Sequence, residues 1–565
     1  MMQLKIKTDV LIIGGGGSGL RAAIAAADCG VQVMLVSKRK VGIAVATAYP
    51  VAEMAGYNAG NINIPGDVHS HYEDIMNAAQ EMSDPKLAAI VAANAPKTIS
   101  KLEEWGVKFE HVEDDYYIFK SCFSNKPRTH VIKGHGEPII RALKTQIQLR
   151  SGNIKIMDDL TILRLVKKNN HVCGALGYRE KEFIRIEAGA VIMATGGCGQ
   201  AFSKNMNPLD ITGDGYAMAY EVGAELVNME FMQIGIGFSW PVVNIFNGYI
   251  WEGKPGLTDK DGSDIFEGVL PDDLTKEDVM HEHRKHFPFS SSDCSQYLEI
   301  AVQRAIRSGK GTEHGGVHID LHGMTDEYVN SLKDDCGIHH MWPIARDYMK
   351  EKGVDLLKDE VEIAVYAHAV NGGIRIDENA MSSVEGLFAA GECAGGPHGA
   401  DRLGGNMMVT CQVYGEIAGI KAAEYAIRME NGLINTDDSD QKIGSVEETI
   451  LAKKVNLDII KKKMQDAAQK YLLIDRNEEG LSEYIRIAQK LEKQIEEAPE
   501  GECCPENINV YHTLITTTLM AESARRRKES RGSHQRSDYP LKNKMYGYPI
   551  VIKRENSHIA QKIKP

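Results

Sequence analysis

Four aliphatic residues, Val10-Leu11-Ile12-Ile13, run directly into Gly14-Gly15-Gly16-Gly17-Ser18-Gly19, and a small-residue helical stretch beginning Leu20-Arg21-Ala22-Ala23 follows at once. This succession of strand, glycine turn and helix constrains the fold more than any other feature of the chain. In the spacing Gly14-x-Gly16-x-x-Gly19, the first glycine permits a tight turn. The second lets the backbone approach a pyrophosphate, and the third allows the helix to pack closely on the strand. The first helical turn, with Ser18 in it, then presents free N–H groups to the anion. A dinucleotide-binding βαβ unit is therefore predicted, with its second strand at 31–36. That strand ends in Ser37-Lys38, where a simple NAD site would carry an acid on a ribose hydroxyl. FAD, held by other ribose contacts, fits better.

The 565 residues carry 65 Lys and Arg against 78 Asp and Glu, a formal charge of −13, and 43% are hydrophobic. That balance excludes a disordered chain and argues against a nucleic-acid binder, which must neutralise phosphates. An anion can still bind at a local cluster of positive groups. The 10 cysteines contain no CxxC and no group with zinc or iron–sulfur spacing, so they read as reduced thiols of a cytoplasmic chain. No metal site is predicted: His281-Glu282-His283 and His339-His340 read as surface polar groups. No apolar run is long enough to span a membrane. The basic-then-apolar start leads straight into the glycine motif, as a first strand does and a signal peptide does not.

Further along, a helix is predicted over 84–102, ending at Gly106, and a hairpin turn at Asn169-Asn170 between strands in 154–192. The segment 185–197 reads as an apolar strand entering a second glycine turn. Residues 231–362 are richer in aromatics, Pro and His, and strand and glycine patterning returns at 363–430. A charged helical region then runs from about Gln441 to Arg531, interrupted at 498–505. The expected organisation is a nucleotide-binding domain (1–230 and 363–430), an inserted domain (231–362) and a helical C-terminal domain (437–565).

Three more motifs bear on the cofactor. Ala194-Thr195-Gly196-Gly197 closes a strand, Thr212-Gly213-Asp214-Gly215 opens a helix, and Gly386 to Glu392 reads as a strand ending in Gly-Glu. With the first glycine turn they resemble the two-dinucleotide-fold flavoproteins, which implies ATGG near the adenine and Glu392 at the ribityl chain. His398-Gly399-Ala400-Asp401-Arg402-Leu403-Gly404-Gly405-Asn406 then resembles the HGANRLGGNS signature of the fumarate reductase and succinate dehydrogenase flavoprotein family, which includes L-aspartate oxidase. Segments 126–143, 318–324, 367–374 and 525–540 are similar to further family motifs in the same order, so the resemblance spans nearly the whole chain. It implies an α/β protein: a Rossmann-like FAD-binding domain interrupted by an α+β capping domain and followed by a helical C-terminal domain. It also implies hydride transfer between flavin N5 and a small unsaturated organic acid, with electrons exchanged through an iron–sulfur partner subunit. Arg402 matches the carboxylate-clamping arginine and His368 a second substrate contact. Asn406-Met407-Met408 match the segment at the flavin's pyrimidine end. Arg525-Arg526-Arg527-Lys528 belongs to the C-terminal motif, which implies packing or partner contact.

The departures from the family fall on the substrate side. The family's FHPTG is matched to Phe231-Met232-Gln233-Ile234-Gly235, which replaces its His by Met and its Thr by Ile. Trp251 falls where the RGEGG arginine donates a proton, leaving Lys254 as the nearest cation. A Met- and Trp-lined pocket for a bulkier or less charged acceptor than fumarate is expected. The stretch 44–60 lacks the histidine that carries covalent FAD, so the flavin is expected to be non-covalent. The expected function is that of a cytoplasmic flavoprotein subunit, with any membrane association made through its partners. The alternatives are a true fumarate reductase or succinate dehydrogenase subunit, and a flavin electron carrier without a substrate of its own.

Overall fold

In the computed structural model, which describes residues 3–49, 55–334, 337–430, 446–555 and 558–562, the glycine turn leaves the middle of a seven-stranded sheet. Strand Gln3–Ile13 pairs in parallel with Val33–Val36 on one side and Glu182–Met193 on the other. Ile154–Met157 extends the sheet beyond Val33–Val36, and Leu387–Ala389 pairs in parallel with Glu182–Met193. Val10, Leu11 and Ile12 are fully buried, as an apolar run in a parallel sheet covered on both faces must be. The antiparallel ribbon Thr161–Lys168 and His171–Arg179 turns at Asn169 and Asn170, both with positive φ, 49° and 63°. That is the left-handed geometry a two-residue hairpin needs and that asparagine tolerates. Helix Gly17–Asp28 is buried along nearly its whole length because the long helix Asn406–Glu430 lies directly on it. A Cβ at Gly419 would stand 2.3 Å from the Ala22 carbonyl oxygen, so this close crossing requires glycine.

The inserted region forms its own five-stranded sheet from Asn244–Ile245, Met232–Trp240, Val361–Val370, Val317–Asp320 and Gly256–Thr258. Met232–Trp240 and Val361–Val370 run antiparallel, from Met232 opposite Val370 to Trp240 opposite Glu362. The expected boundary between 362 and 363 thus falls inside a strand of the capping sheet. The run VEIAVYAHAV is almost continuously buried, so its apolar character belongs to this sheet and not to a return of the nucleotide-binding domain. His368 is therefore a residue of the cap.

Among the described residues four helices, Val446–Leu451, Leu457–Tyr471, Glu478–Glu496 and Pro505–Arg526, build the C-terminal region, and the last stops short of the expected Arg531. On that last helix, Thr513 and Thr516 donate to the carbonyls of Thr212 and Gly213, both at 2.8 Å, and so hold the second glycine motif in place. The region is not purely helical, since Val551–Glu555 pairs with Leu226–Val227. The predicted helix start near Gln441 and the domain start at 437 lie outside the described residues. The basic run is only partly interior: Arg527 is wholly buried, Arg525 and Arg526 are half-buried and Lys528 is exposed, whereas Arg531 and Arg536 further along the same motif are wholly buried. Arg527 Nε bonds Glu230 at 2.6 Å, its Nη1 bonds Glu529 at 2.9 Å, and its guanidinium lies over the Phe231 ring. Arg531 shares Glu529 with it, and Arg536 pairs with Asp538 at 2.7 Å. These charges pack the chain's end against the strand that enters the capping sheet.

Candidate active site

A cavity of about 360 Å³ runs from the first glycine turn to the edge of the capping sheet. At the near end, Gly14 has φ +120° and a Cβ there would lie 2.1 Å from the Ala194 carbonyl oxygen. A Cβ at Gly19 would lie 1.9 Å from the Gly14 carbonyl oxygen, so this residue packs helix on strand and does not line the cavity. A Cβ at Gly16 would meet nothing within 4 Å; the residue faces open space as the N-cap of a 12-residue helix with no side chain capping it. Bare N–H groups at a helix N-terminus, opening on a cavity, are what a pyrophosphate requires. Ser18, Ser37, Lys38, Ala194, Thr195, Gly196 and Asp214 line the same end. Lys38 donates to Thr212 Oγ1 at 2.8 Å and lies 3.4 Å from Asp214 Oδ1. The acid at this end thus comes from the start of helix Asp214–Glu221, not from the end of the second strand.

Midway, Gly404, Gly405, Met407 and Met408 line the cavity where helix Asn406–Glu430 begins. The Asn406 side chain turns inward instead, its Oδ1 3.1 Å from His71 Nε2, and is absent from the cavity wall. Glu392 lines the wall and accepts the Val370 N–H at 3.0 Å, tying the cofactor end to the capping strand. Burial pushes its carboxyl up to about 7, against the pull of that hydrogen bond and of Arg402.

At the far end stands Arg402, 7% exposed. Its Nε donates to Gln233 Oε1 at 2.9 Å and its Nη1 to the Leu403 carbonyl at 3.1 Å, while Gln233 Nε2 donates back to the Arg402 carbonyl at 3.2 Å. No carboxylate forms an ion pair with it among the described residues. Burial lowers its pKa to about 10, partly opposed by Glu392, so it remains a cation at neutral pH. The His368 Nδ1 is buried without a hydrogen-bond partner. Burial, reinforced by Arg402, holds His368 down to about 3 and therefore uncharged. Phe287 packs edge-on to His368 with centroids 6.0 Å apart, and its backbone N–H donates to Cys122 Sγ at 3.0 Å. Burial raises the Cys122 thiol pKa.

The structure corrects three expectations here. Lys254 is exposed, in a left-handed turn (φ 50°) just after the 3-10 segment Gly248–Gly253, and does not line the cavity. Trp251 is 1% exposed and packs against Phe246 and His283, so it belongs to the cap's core. Met232 and Ile234 are likewise buried in that core, because a strand alternates its faces and Gln233 is the residue that points to the cavity. Methionine does line the cavity, but as Met206, Met407 and Met408 and not as Met232, and with Met206 at this end stand Phe287, Ile245 and Cys122. The one sequence signal for Phe287 is Gly235: a Cβ there would lie 2.3 Å from the Phe287 ring. Among the described residues no group of three His, Cys, Asp or Glu could hold a metal; His283 is instead bonded to Glu299 at 2.6 Å. Nine cysteines are unpaired thiols, and Cys336 lies outside the described residues. No described helix is long and apolar enough to cross a membrane.

The FAD binding domain family matches residues 9–408, and the fumarate reductase flavoprotein C-terminal family matches residues 461–558. One chain of the CoM/CoB fumarate reductase of Methanothermobacter marburgensis is 30% identical, with 97% of each chain covered. An uncharacterised FAD-dependent oxidoreductase of Methanocaldococcus jannaschii is also 30% identical, over 97% of this chain and 96% of its own. Among solved structures, Mycobacterium smegmatis Sdh1 superposes with a TM-score of 0.83 at 27% identity, covering 99% of this chain and 94% of that one. Gly14 and Gly19 leave no room for a side chain, Gly16 opens on the cavity, and the residues present fit FAD. The chain belongs to the fumarate reductase and succinate dehydrogenase flavoprotein family, a family of FAD-dependent oxidoreductases.

Proposed function

We propose that this chain is a flavoprotein subunit that transfers hydride between FAD and a small unsaturated organic acid, exchanging electrons with a separate iron–sulfur subunit. The observation that carries this reading is Arg402: a buried cation without a counter-ion among the described residues, in the same cavity as the dinucleotide cradle. A guanidinium has five N–H donors. Two of them are engaged, by Gln233 and Leu403, and the remainder are open to a carboxylate, which this planar group can grip with two bonds. Bound FAD supplies the hydride chemistry. The chain's own task is to hold the acid with its double bond in line and to polarise it through Arg402. Gln233 fixes the guanidinium plane, and neutral His368 offers a polar contact without a second charge. The proton for the neighbouring carbon falls to the Cys122 thiol, which burial keeps protonated; the thiolate left behind regains its proton from water.

Two features support the partner and the mode of cofactor binding. The nine described cysteines gather no cluster, so iron–sulfur wiring belongs on another chain, and any membrane contact would run through such partners. The described part of 44–60 that lines the cavity has no histidine, which supports non-covalent FAD; acid precipitation should leave the yellow colour in the supernatant. A second reading, an electron carrier without its own substrate, draws on Trp251 in the arginine's place, buried away from the cavity. Anaerobic stopped-flow mixing of the dithionite-reduced holoprotein with a panel of enoates, fumarate included, separates the two. Reoxidation by at least one enoate supports substrate chemistry, and reoxidation by none leaves the carrier.

A further inference from the structure

The far end of the cavity offers an anion one positive charge; the amides Asn207 and Asn247 also line the wall, Asn207 with its Nδ2 donating to the His368 carbonyl at 2.8 Å. Arg402 is there; the other basic side chains on the cavity wall are Lys38, His135 and His368. Lys38 is committed to Asp214 and Thr212 at the dinucleotide end. His135 stands in the turn before helix Glu137–Leu149, and His368 touches the apolar edge of Phe287. Gln233, the nearest amide to Arg402, has its oxygen and nitrogen both bonded to that residue. A dicarboxylate placed on Arg402 would put its second carboxylate among Phe287, Ile245 and Met206, with no cation to meet it. Moving an ionised carboxylate from water to such a wall without a partner is strongly unfavourable. An apolar group in the same place gains by leaving water.

The Phe287 ring is also built in. It occupies the space that a side chain at Gly235 would take, and it is held edge-on by His368 and through its backbone by Cys122. Ring and glycine are complementary: neither could be enlarged without moving the other.

We infer that the substrate is an α,β-unsaturated monocarboxylate whose far end is apolar, its carboxylate on Arg402 and its apolar substituent against Phe287, Ile245 and Met206. This rests on the reading of the cavity as a hydride-transfer site. The reaction balances as hydride to the carbon bearing the apolar group and a proton to the carbon next to the carboxylate. Reduced FAD is oxidised and the carbon–carbon double bond becomes single. Specificity then resides in Phe287, which never takes part in the chemistry.

Binding and turnover test it separately. Isothermal titration of the oxidised holoprotein with cinnamate, crotonate and fumarate reads the ligand class without turnover. Cinnamate should bind at least about tenfold tighter than fumarate, and reoxidise the dithionite-reduced holoprotein at least about tenfold faster. Phe287→Lys should shift the ratio toward fumarate by a similar factor. Should that variant fail to hold FAD, Phe287→Ala is read instead, and should weaken cinnamate more than crotonate. Equal or tighter binding of fumarate by the unaltered protein, or binding of none of the three, overturns the inference. Fumarate reoxidising the protein as fast as cinnamate overturns the inference but keeps the hydride-transfer reading. Cinnamate that binds preferentially and does not reoxidise keeps the ligand class and removes that reading.

Discussion

Arg402 and Arg527 are both buried arginines within the fold, and they differ in what surrounds the charge. Arg527 is wholly buried yet carries its own counter-ions, Glu230 and Glu529, with the Phe231 ring beneath the guanidinium and the carbonyls of Tyr546 and Tyr548 on its Nη atoms. Arg402 has one amide oxygen and one backbone carbonyl, and no carboxylate among the described residues. A buried charge whose partners belong to the fold is a packing element; removing a partner leaves it stranded. A buried charge with donors unspent is held ready for something that the fold does not contain. The counter-charges are the physical difference between the two.

The sharpest way to break this comparison is to exchange the roles. Arg402→Leu should lower the rate of flavin reoxidation by the best enoate at least about 10³-fold, since an electrostatic clamp in a water-poor site is worth that much. Thermal unfolding of the same variant should not fall, because the change removes a buried charge that no carboxylate compensates. A lower melting temperature with near-normal turnover would make Arg402 a second packing arginine. Glu230→Ala should do the reverse. Stripping one counter-ion from Arg527 should cost about 3 kcal/mol of stability by denaturant unfolding, with flavin content per folded molecule unchanged. No loss of stability would mean that Glu529 alone satisfies the cluster.

The same contrast explains what could be read from the chain without coordinates. The cofactor end was legible because backbone builds it: glycine spacing is a local property, and Gly14, Gly16 and Gly19 sit within one turn and one helix start. Lys38 was visible as a missing acid and Asp214 as part of a glycine motif, but their pairing was not, since tertiary packing alone brings Lys38 to Asp214 and to Thr212, 174 positions away. The substrate end is assembled from side chains of distant segments, at 122, 206, 233, 245, 287, 368 and 402. There, the order of residues along a strand decides who faces the cavity. Counting the motif one way pointed to Met232 and Ile234; strand alternation hands the place to Gln233. Lys254 illustrates a related failure, for proximity in sequence to a lost arginine says nothing about which way a left-handed turn aims a side chain. The cap's true extent was hidden for another reason: a buried strand in either domain reads as the same apolar run, so 361–370 carried no label of its sheet.

Cys122 bears on the half of the site that the arginines do not address. If its thiol delivers the proton, Cys122→Ala should slow reoxidation by the enoate about 10²-fold while leaving enoate binding to the oxidised protein nearly unchanged. Cys122→Ser, with a hydroxyl in place, should recover part of the rate. A parallel loss of binding would assign the residue to the wall alone.

The smallest expected effect concerns the joint between cap and cofactor domain beside Arg402. Asp401 is 1% exposed; its Oδ2 accepts Ser290 Oγ at 2.8 Å from the cap and Gln80 Nε2 at 2.9 Å from the other domain, while Oδ1 has no partner. Burial pushes this carboxyl up to about 7, with Asp293 adding to the rise and Ser290, His286 and Gln80 opposing it. The unfolded carboxyl titrates near the ordinary value of 3.8. Between those two values the folded chain holds a proton that the unfolded chain has released, so stability from this group falls as pH rises toward 7. Asp401→Asn imitates the protonated side chain and should abolish that slope. Between pH 5 and pH 8 the variant should gain about 2 kcal/mol on the unaltered protein in denaturant unfolding. Parallel curves would mean that the carboxyl is ionised in the folded chain at pH 5. Ser290, which Asp401 holds, lies three residues beyond Phe287. The ionisation of one residue at this joint therefore bears on the wall that faces Arg402, the buried cation at the centre of the comparison.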